Sequence, residues 1–106
     1  MSVKPVYHKN LRIGKSIKTD KLDKIIKKLE KRPLLSGVFV IAVSRNYSDQ
    51  LEIYQAKELA HRYYQNNPPF IIGLAGSKEE AVALVEELVQ NCLKDRGDCA
   101  LKEYLL

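Results

Sequence analysis

The chain has 106 residues, 45% apolar and 29% charged, with a formal net charge of +5. This is ordinary soluble composition at the commonest size for one domain, and such a chain can bury a core without a disulfide framework or a structural metal. The longest uncharged stretch, Tyr63 to Ser77, has 15 residues and the apolar run Pro33 to Ser44 has 12, both short of the ~18 that a membrane-spanning helix needs.

Met1–Asn10 has neither the apolar segment nor the small-residue cleavage site of a secretory signal. Two cysteines, Cys92 and Cys99, imply a reducing compartment and no disulfide scaffold. The expectation is a cytoplasmic protein with a single α/β domain over residues 1–106. Its charge is uneven. Residues 1–33 hold eleven Lys/Arg against Asp20, Asp23 and Glu30, a net of +8, while residues 34–106 hold seven against ten acids, a net of −3. A basic first third on an acidic remainder suits contact with a polyanion or with a second copy of the chain.

In chain order, Leu11, Ile13 and Ile17 fall on one face at a spacing of two or its multiple, which predicts a short N-terminal edge strand interrupted at Gly14. Residues 20–32 form a helix, with Leu22, Ile25, Ile26 and Leu29 as its apolar stripe, Thr19 or Asp20 as cap and Pro33 as stop. Gly37–Ser44 is a continuous apolar, β-branched run. Both its faces must be covered, the mark of an interior strand and usually a parallel one. A second helix is predicted from about Asp49 to Gln65, with Ile53, Ala56, Ala60 and Tyr63 inward. Phe70–Ala75 is the second buried strand. Ser77-Lys78-Glu79-Glu80 is a capping box that opens a third helix, which Gly97 ends. The tail Cys99–Leu106 reads equally as strand or helical turn.

Strand-then-helix occurs twice, so the predicted fold is α/β: a small, mainly parallel sheet with a βαβα unit, helices packed on it, and an N-terminal edge strand and helix. In such sheets ligands bind beyond the carboxyl ends of the strands, near helix N-termini. That edge would carry Ser44, Arg45, Asn46 and Ser48 from one loop and Gly76 and Ser77 from the other, a candidate anion site. Capping and turn formation alone also explain these residue types. Ile13-Gly14-Lys15-Ser16 is like the tail of a P-loop, but the glycine needed five residues before Gly14 is Lys9.

Lys21, Lys24, Lys27, Lys28, Lys31 and Arg32 lie opposite the apolar stripe of the first helix, either the ordinary solvated face of an exposed helix or a candidate nucleic-acid surface, with only Tyr7 near in sequence to stack on bases. Catalytic sets are poor. His8 and His61 stand apart, the C-x₆-C spacing of Cys92 and Cys99 is not a zinc signature, and Glu79, Glu80, Glu86 and Glu87 are helix-surface acids by spacing. No cofactor or metal is expected.

The third helix is apolar over about half its circumference at ~100° per residue, with Val82 and Leu93 at the edges of the stripe. Together with the apolar terminus Tyr104-Leu105-Leu106, this predicts either a homodimer or a tail folded back over the helix. The leading functional expectation is a small non-enzymatic binding or regulatory module that self-associates. The alternatives are a binder of small anions or nucleotide-type ligands at the βα loops, and a nucleic-acid-binding accessory protein using the basic first third.

Overall fold

The structure is a computed structural model and describes residues 6–31, 37–44, 50–60 and 69–105. Its centre is one four-stranded sheet in the order β1-β4-β2-β3, made of β1 (Val6–Ile13), β2 (Phe39–Val43), β3 (Leu51–Gln55) and β4 (Phe70–Ala75). Helix α1 (Thr19–Lys31) follows β1, a 3₁₀ segment (Ala56–Ala60) follows β3, and helices α2 (Lys78–Arg96) and α3 (Leu101–Leu105) follow β4.

The sheet is sandwiched between helices because the two central strands are apolar on both faces. Val40 and Ala42 of β2 and Ile71 and Leu74 of β4 join Leu29 of α1 in one buried cluster, against which Leu22, Ile25 and Ile26 also pack. Ile41 and Ile72 join Ala81, Leu88 and Cys92 of α2 and Leu101 and Leu105 of α3 in the other. A strand whose successive side chains point to opposite faces can feed both layers only if every position is apolar, as Phe39–Val43 and Phe70–Ala75 are.

The expected mixed α/β fold and N-terminal edge strand and helix are present, but the sheet is not mainly parallel. β1 and β4 are parallel, whereas β2 is antiparallel to both β4 and β3. The two buried runs are therefore neighbours, as expected, but oppositely directed. Apolar continuity reports cover on two faces, and α1 on one side with α2 and α3 on the other supplies that cover whichever way β2 runs.

The βαβα unit fails at its first helix. Residues 51–55 form a hairpin with β2 instead, in the register Val43↔Leu51, Ile41↔Ile53 and Phe39↔Gln55. Leu51 and Ile53 alternate onto the α2 face while Tyr54 packs on the α1 face. In so short a run that alternation competes with the helical spacing, and the open edge of β2 decides between them. Residues 61–65 of the expected helix lie outside the described residues. The tail resolves as helix: α3 seats Leu101 and Leu105 beside Cys92 and Leu88. Among the described residues, no helix is long and apolar enough to cross a membrane.

One irregularity sets the centre of the sheet. The β2–β4 register shifts between Ile41↔Gly73 and Ala42↔Ile71, so Ile72 is an extra residue on β4. This bulge restores the alternation beyond it and returns Leu74 to the α1 face. Gly73 sits directly across from Ile41, and a Cβ there would come within 3.1 Å of Ile41 Cδ1 and 3.3 Å of the Arg12 carbonyl oxygen. Gly73→Val should therefore destabilise the fold by about 1–3 kcal/mol through overpacking, read as a lower denaturation midpoint in urea. A variant with the parent midpoint would show that the Gly73–Ile41 approach does not constrain the sheet.

Candidate functional site

The parallel pairing of β1 with β4 carries both chains to the same edge of the sheet, and a helix begins just beyond each strand. The loops brought together are Gly14-Lys15-Ser16 before α1 and Gly76-Ser77 before α2. The Gly14 N–H donates to the Leu74 carbonyl at 2.8 Å, extending the parallel ladder by one residue. The Ile17 N–H then donates to the Gly14 carbonyl at 3.0 Å and turns the chain into α1.

Glu80 clasps the two loops. Its carboxylate accepts the Gly76 N–H at 2.9 Å, the Ser16 N–H at 3.1 Å and the Ser16 hydroxyl at 2.8 Å. The capping box is half realised: Ser77 Oγ accepts the Glu80 N–H at 3.1 Å, while the Glu80 side chain turns to Gly76 and across to the β1 loop. The crowding is severe enough that a Cβ on Gly14 would fall 1.8 Å from Glu80 Oε1, and one on Gly76 would fall 2.1 Å from Ser16 Oγ. The Gly76 N–H bond, aided by the Ser16 hydroxyl and N–H and opposed by partial burial, holds the Glu80 carboxyl below its ordinary value of 4.5. The position at which a parallel βα edge would hold an anion is thus filled by the chain's own carboxylate. A shallow groove leads away from it along the join of β1 and α2, lined by Arg12, Ile13, Lys15, Leu84, Glu87 and Asn91.

The anion-site residues expected from the sequence are not all brought together. Phe39 at the start of β2 pairs with Ala75 at the end of β4, and Ala42 pairs with Ile71 near its start. Ser44, just beyond β2, therefore lies at the opposite end of the sheet from Gly76 and Ser77. It is buried, its N–H donates to the Gln50 carbonyl at 3.0 Å, and its hydroxyl donates to Glu52 at 3.4 Å, closing the β2–β3 hairpin. Arg45, Asn46 and Ser48 lie outside the described residues. Lys15, Ser16 and Glu80 take part where Ser44 was expected. A direction for β2 would have identified them, since the turn after β1 lies at the Gly76 end of the sheet and the turn after β2 does not.

On α1, the side chains of Lys21, Lys24, Lys27 and Lys28 are all exposed. The side chain of Lys31 and the whole of Arg32 lie outside the described residues.

The other reactive side chains serve the fold. The Asn10 N–H donates to His8 Nδ1 at 3.0 Å, which leaves the proton of the neutral ring on Nε2, 3.0 Å from the Leu105 carbonyl. The ring also stands edge-on to Phe70 at 5.8 Å. His8 thereby ties the edge strand to α3. Burial pushes the Cys92 thiol up, and Cys99 is exposed. Arg96 bridges Asp98 at 3.1 Å and Glu103 at 2.8 Å, and the Tyr104 hydroxyl donates to Asp95, so the α2–α3 corner is stapled by surface polar contacts. Among the described residues, no three of His, Cys, Asp and Glu are grouped to hold a metal ion.

No protein-family model matches the chain, and neither a curated protein nor a solved structure does so.

Glu80→Gln keeps the size of the side chain but replaces an acceptor-only group by one whose NH₂ must face a donor. We expect a loss of roughly 0.5–1.5 kcal/mol at neutral pH in chemical denaturation. Because the folded carboxyl is held below its ordinary value of 4.5, its contribution is present above about pH 4.5 and fades as pH falls through the lowered folded value. The gap between the parent and Glu80→Gln should therefore close on acidification below pH 4.5. A gap that is constant, or that widens toward acid, would show that the carboxylate does not carry the clasp.

Proposed function

We propose that this protein is a small non-enzymatic binding module that docks on nucleic acid through the outer face of α1. The observation that supports this most directly is the row of exposed lysines at 21, 24, 27 and 28, none of which is held in an ion pair among the described residues. The inner face of the same helix is committed to the core through Leu22, Ile25, Ile26 and Leu29, so the charged face points away from the sheet. Lys15 and Lys18, exposed in the turn before α1, extend the row at its N-terminal end. A row of ammonium groups without stacking aromatics tracks a phosphate backbone by counterion release and carries no base code.

The small-anion reading has weaker support, because Glu80 already takes the Gly76 and Ser16 donors. A cytoplasmic setting is part of the proposal and rests on the two free cysteines, one of them exposed.

Fluorescence anisotropy with a labelled DNA duplex and a labelled RNA single strand tests the reading. Binding should weaken linearly in log–log form as salt rises, with little dependence on sequence. The pair Lys24→Ala and Lys28→Ala should lower the salt slope by about 2, roughly 1 per phosphate contact removed. No binding at low salt, or binding that the double variant leaves unchanged, overturns the proposal.

A further inference from the structure

Charge is unevenly spread over the outer face of α1. The buried stripe of Leu22, Ile25, Ile26 and Leu29 sets the outward direction of the helix, and the bearing of every other residue follows at about 100° per residue. Lys24, Lys28 and Lys21 lie about 30°, 70° and 90° to one side of that direction. Lys27 and Asp23 lie about 30° and 70° to the other, and Asp20 falls about 10° from the crest. All six side chains are exposed.

The two flanks therefore differ in sign. One carries three lysines. On the other, Asp23 precedes Lys27 by four residues, the spacing at which an acid and a following base attract each other on a helix. Asp20 stands in the same relation to Lys24, which leaves Lys21 and Lys28 as the cations with no acid at that spacing. These two differ by about 20° in bearing and stand about 10 Å apart along the axis. A helix lodged in the major groove of a duplex, roughly 12 Å wide, turns its two flanks to the two phosphate rows that wall the groove. On α1 one wall would meet Lys21, Lys24 and Lys28, the other would meet Asp23, and Asp20 would point at the base edges.

We infer that α1 binds one phosphate backbone along the flank of Lys21, Lys24 and Lys28 and does not enter a groove. This rests on the nucleic-acid reading above and narrows it. The ligand is a single row of phosphates, offered equally by a single strand or by one strand of a duplex, and Asp23 turns away the second row.

Salt titration of the full chain by fluorescence anisotropy, with single-stranded and duplex DNA of equal length, tests the inference. The log–log slope is about 0.7 per phosphate contact on a single strand and about 0.9 on a duplex, so each slope converts to a number of contacts. The two numbers should be equal. Lys21→Ala and Lys28→Ala should each remove about one contact from both probes, and Lys27→Ala should leave both slopes unchanged, with circular dichroism unaltered in every variant. Asp23→Lys should add about one contact on the duplex and none on the single strand. Binding to neither probe overturns the nucleic-acid reading and this inference together. Binding to both, with clearly more contacts on the duplex, overturns the one-backbone inference alone. So does a Lys27→Ala loss equal to that of Lys28→Ala, or an Asp23→Lys chain that gains nothing on the duplex.

Discussion

Strand β4 has no face open to solvent, and this constraint organises the molecule. Ile71 to Ala75 are all buried, with β1 on one side, β2 on the other and a helical layer above and below. A strand so enclosed tolerates no polar side chain and needs all its backbone hydrogen bonds from its neighbours. The bulge at Ile72-Gly73 lets one short segment serve both layers. It places Ile72 on the α2 side, leaves room for Ile41, and hands Leu74 to the α1 side. The parallel ladder to β1 then delivers two βα turns to one edge, where their converging N–H groups need an acceptor. Glu80 supplies it from within the chain. The clasp is thus a consequence of how β4 is paired.

Two exposed features follow from the same layering. Helix α1 is short and strongly amphipathic, so burying Leu22, Ile25, Ile26 and Leu29 forces its lysines to the opposite side. Helix α2 has 19 residues against six in the strand that precedes it. Its apolar residues span about half its circumference, a wider stripe than one sheet face covers. Helix α3 takes up part of the surplus through Leu101 and Leu105. Val82 and Leu93 are what is left over. The exposed lysines and these two exposed apolar residues therefore belong to opposite layers.

Much of this was legible in the chain before any coordinates. The stripe Leu22, Ile25, Ile26, Leu29 specified both α1 and the exposure of Lys21, Lys24, Lys27 and Lys28, because one periodicity sets both faces. Ser77 and Gly97 marked the ends of α2, and they act as its N-cap and left-handed C-cap. Phe39–Val43 and Phe70–Ala75 read as buried strands because no helix of that length is so uniformly apolar and β-branched between turn residues. Val82 and Leu93 were already at the edges of the α2 stripe. These are local properties, carried by residues within one or two turns of each other.

Strand direction and the fate of residues 51–55 were decided only in three dimensions. Ile53, Ala56, Ala60 and Tyr63 fit a helix and Leu51-Glu52-Ile53-Tyr54 fits a strand about equally well. The open edge of β2, a partner distant from the choice itself, settled it. Once that hairpin forms, the chain reaches β4 running opposite to β2, and Ser44 and Ser77 separate to opposite ends of the sheet. Glu80 shows the same division at the scale of one side chain. Its spacing from Ser77 made it a cap, but its carboxylate answers to Gly76 and to Ser16, 64 residues away along the chain. Periodicity and capping depend on neighbours in sequence and are written in the sequence. Pairing partners, strand sense and the acceptor at a shared edge depend on which segments meet, and only the assembled sheet determines that.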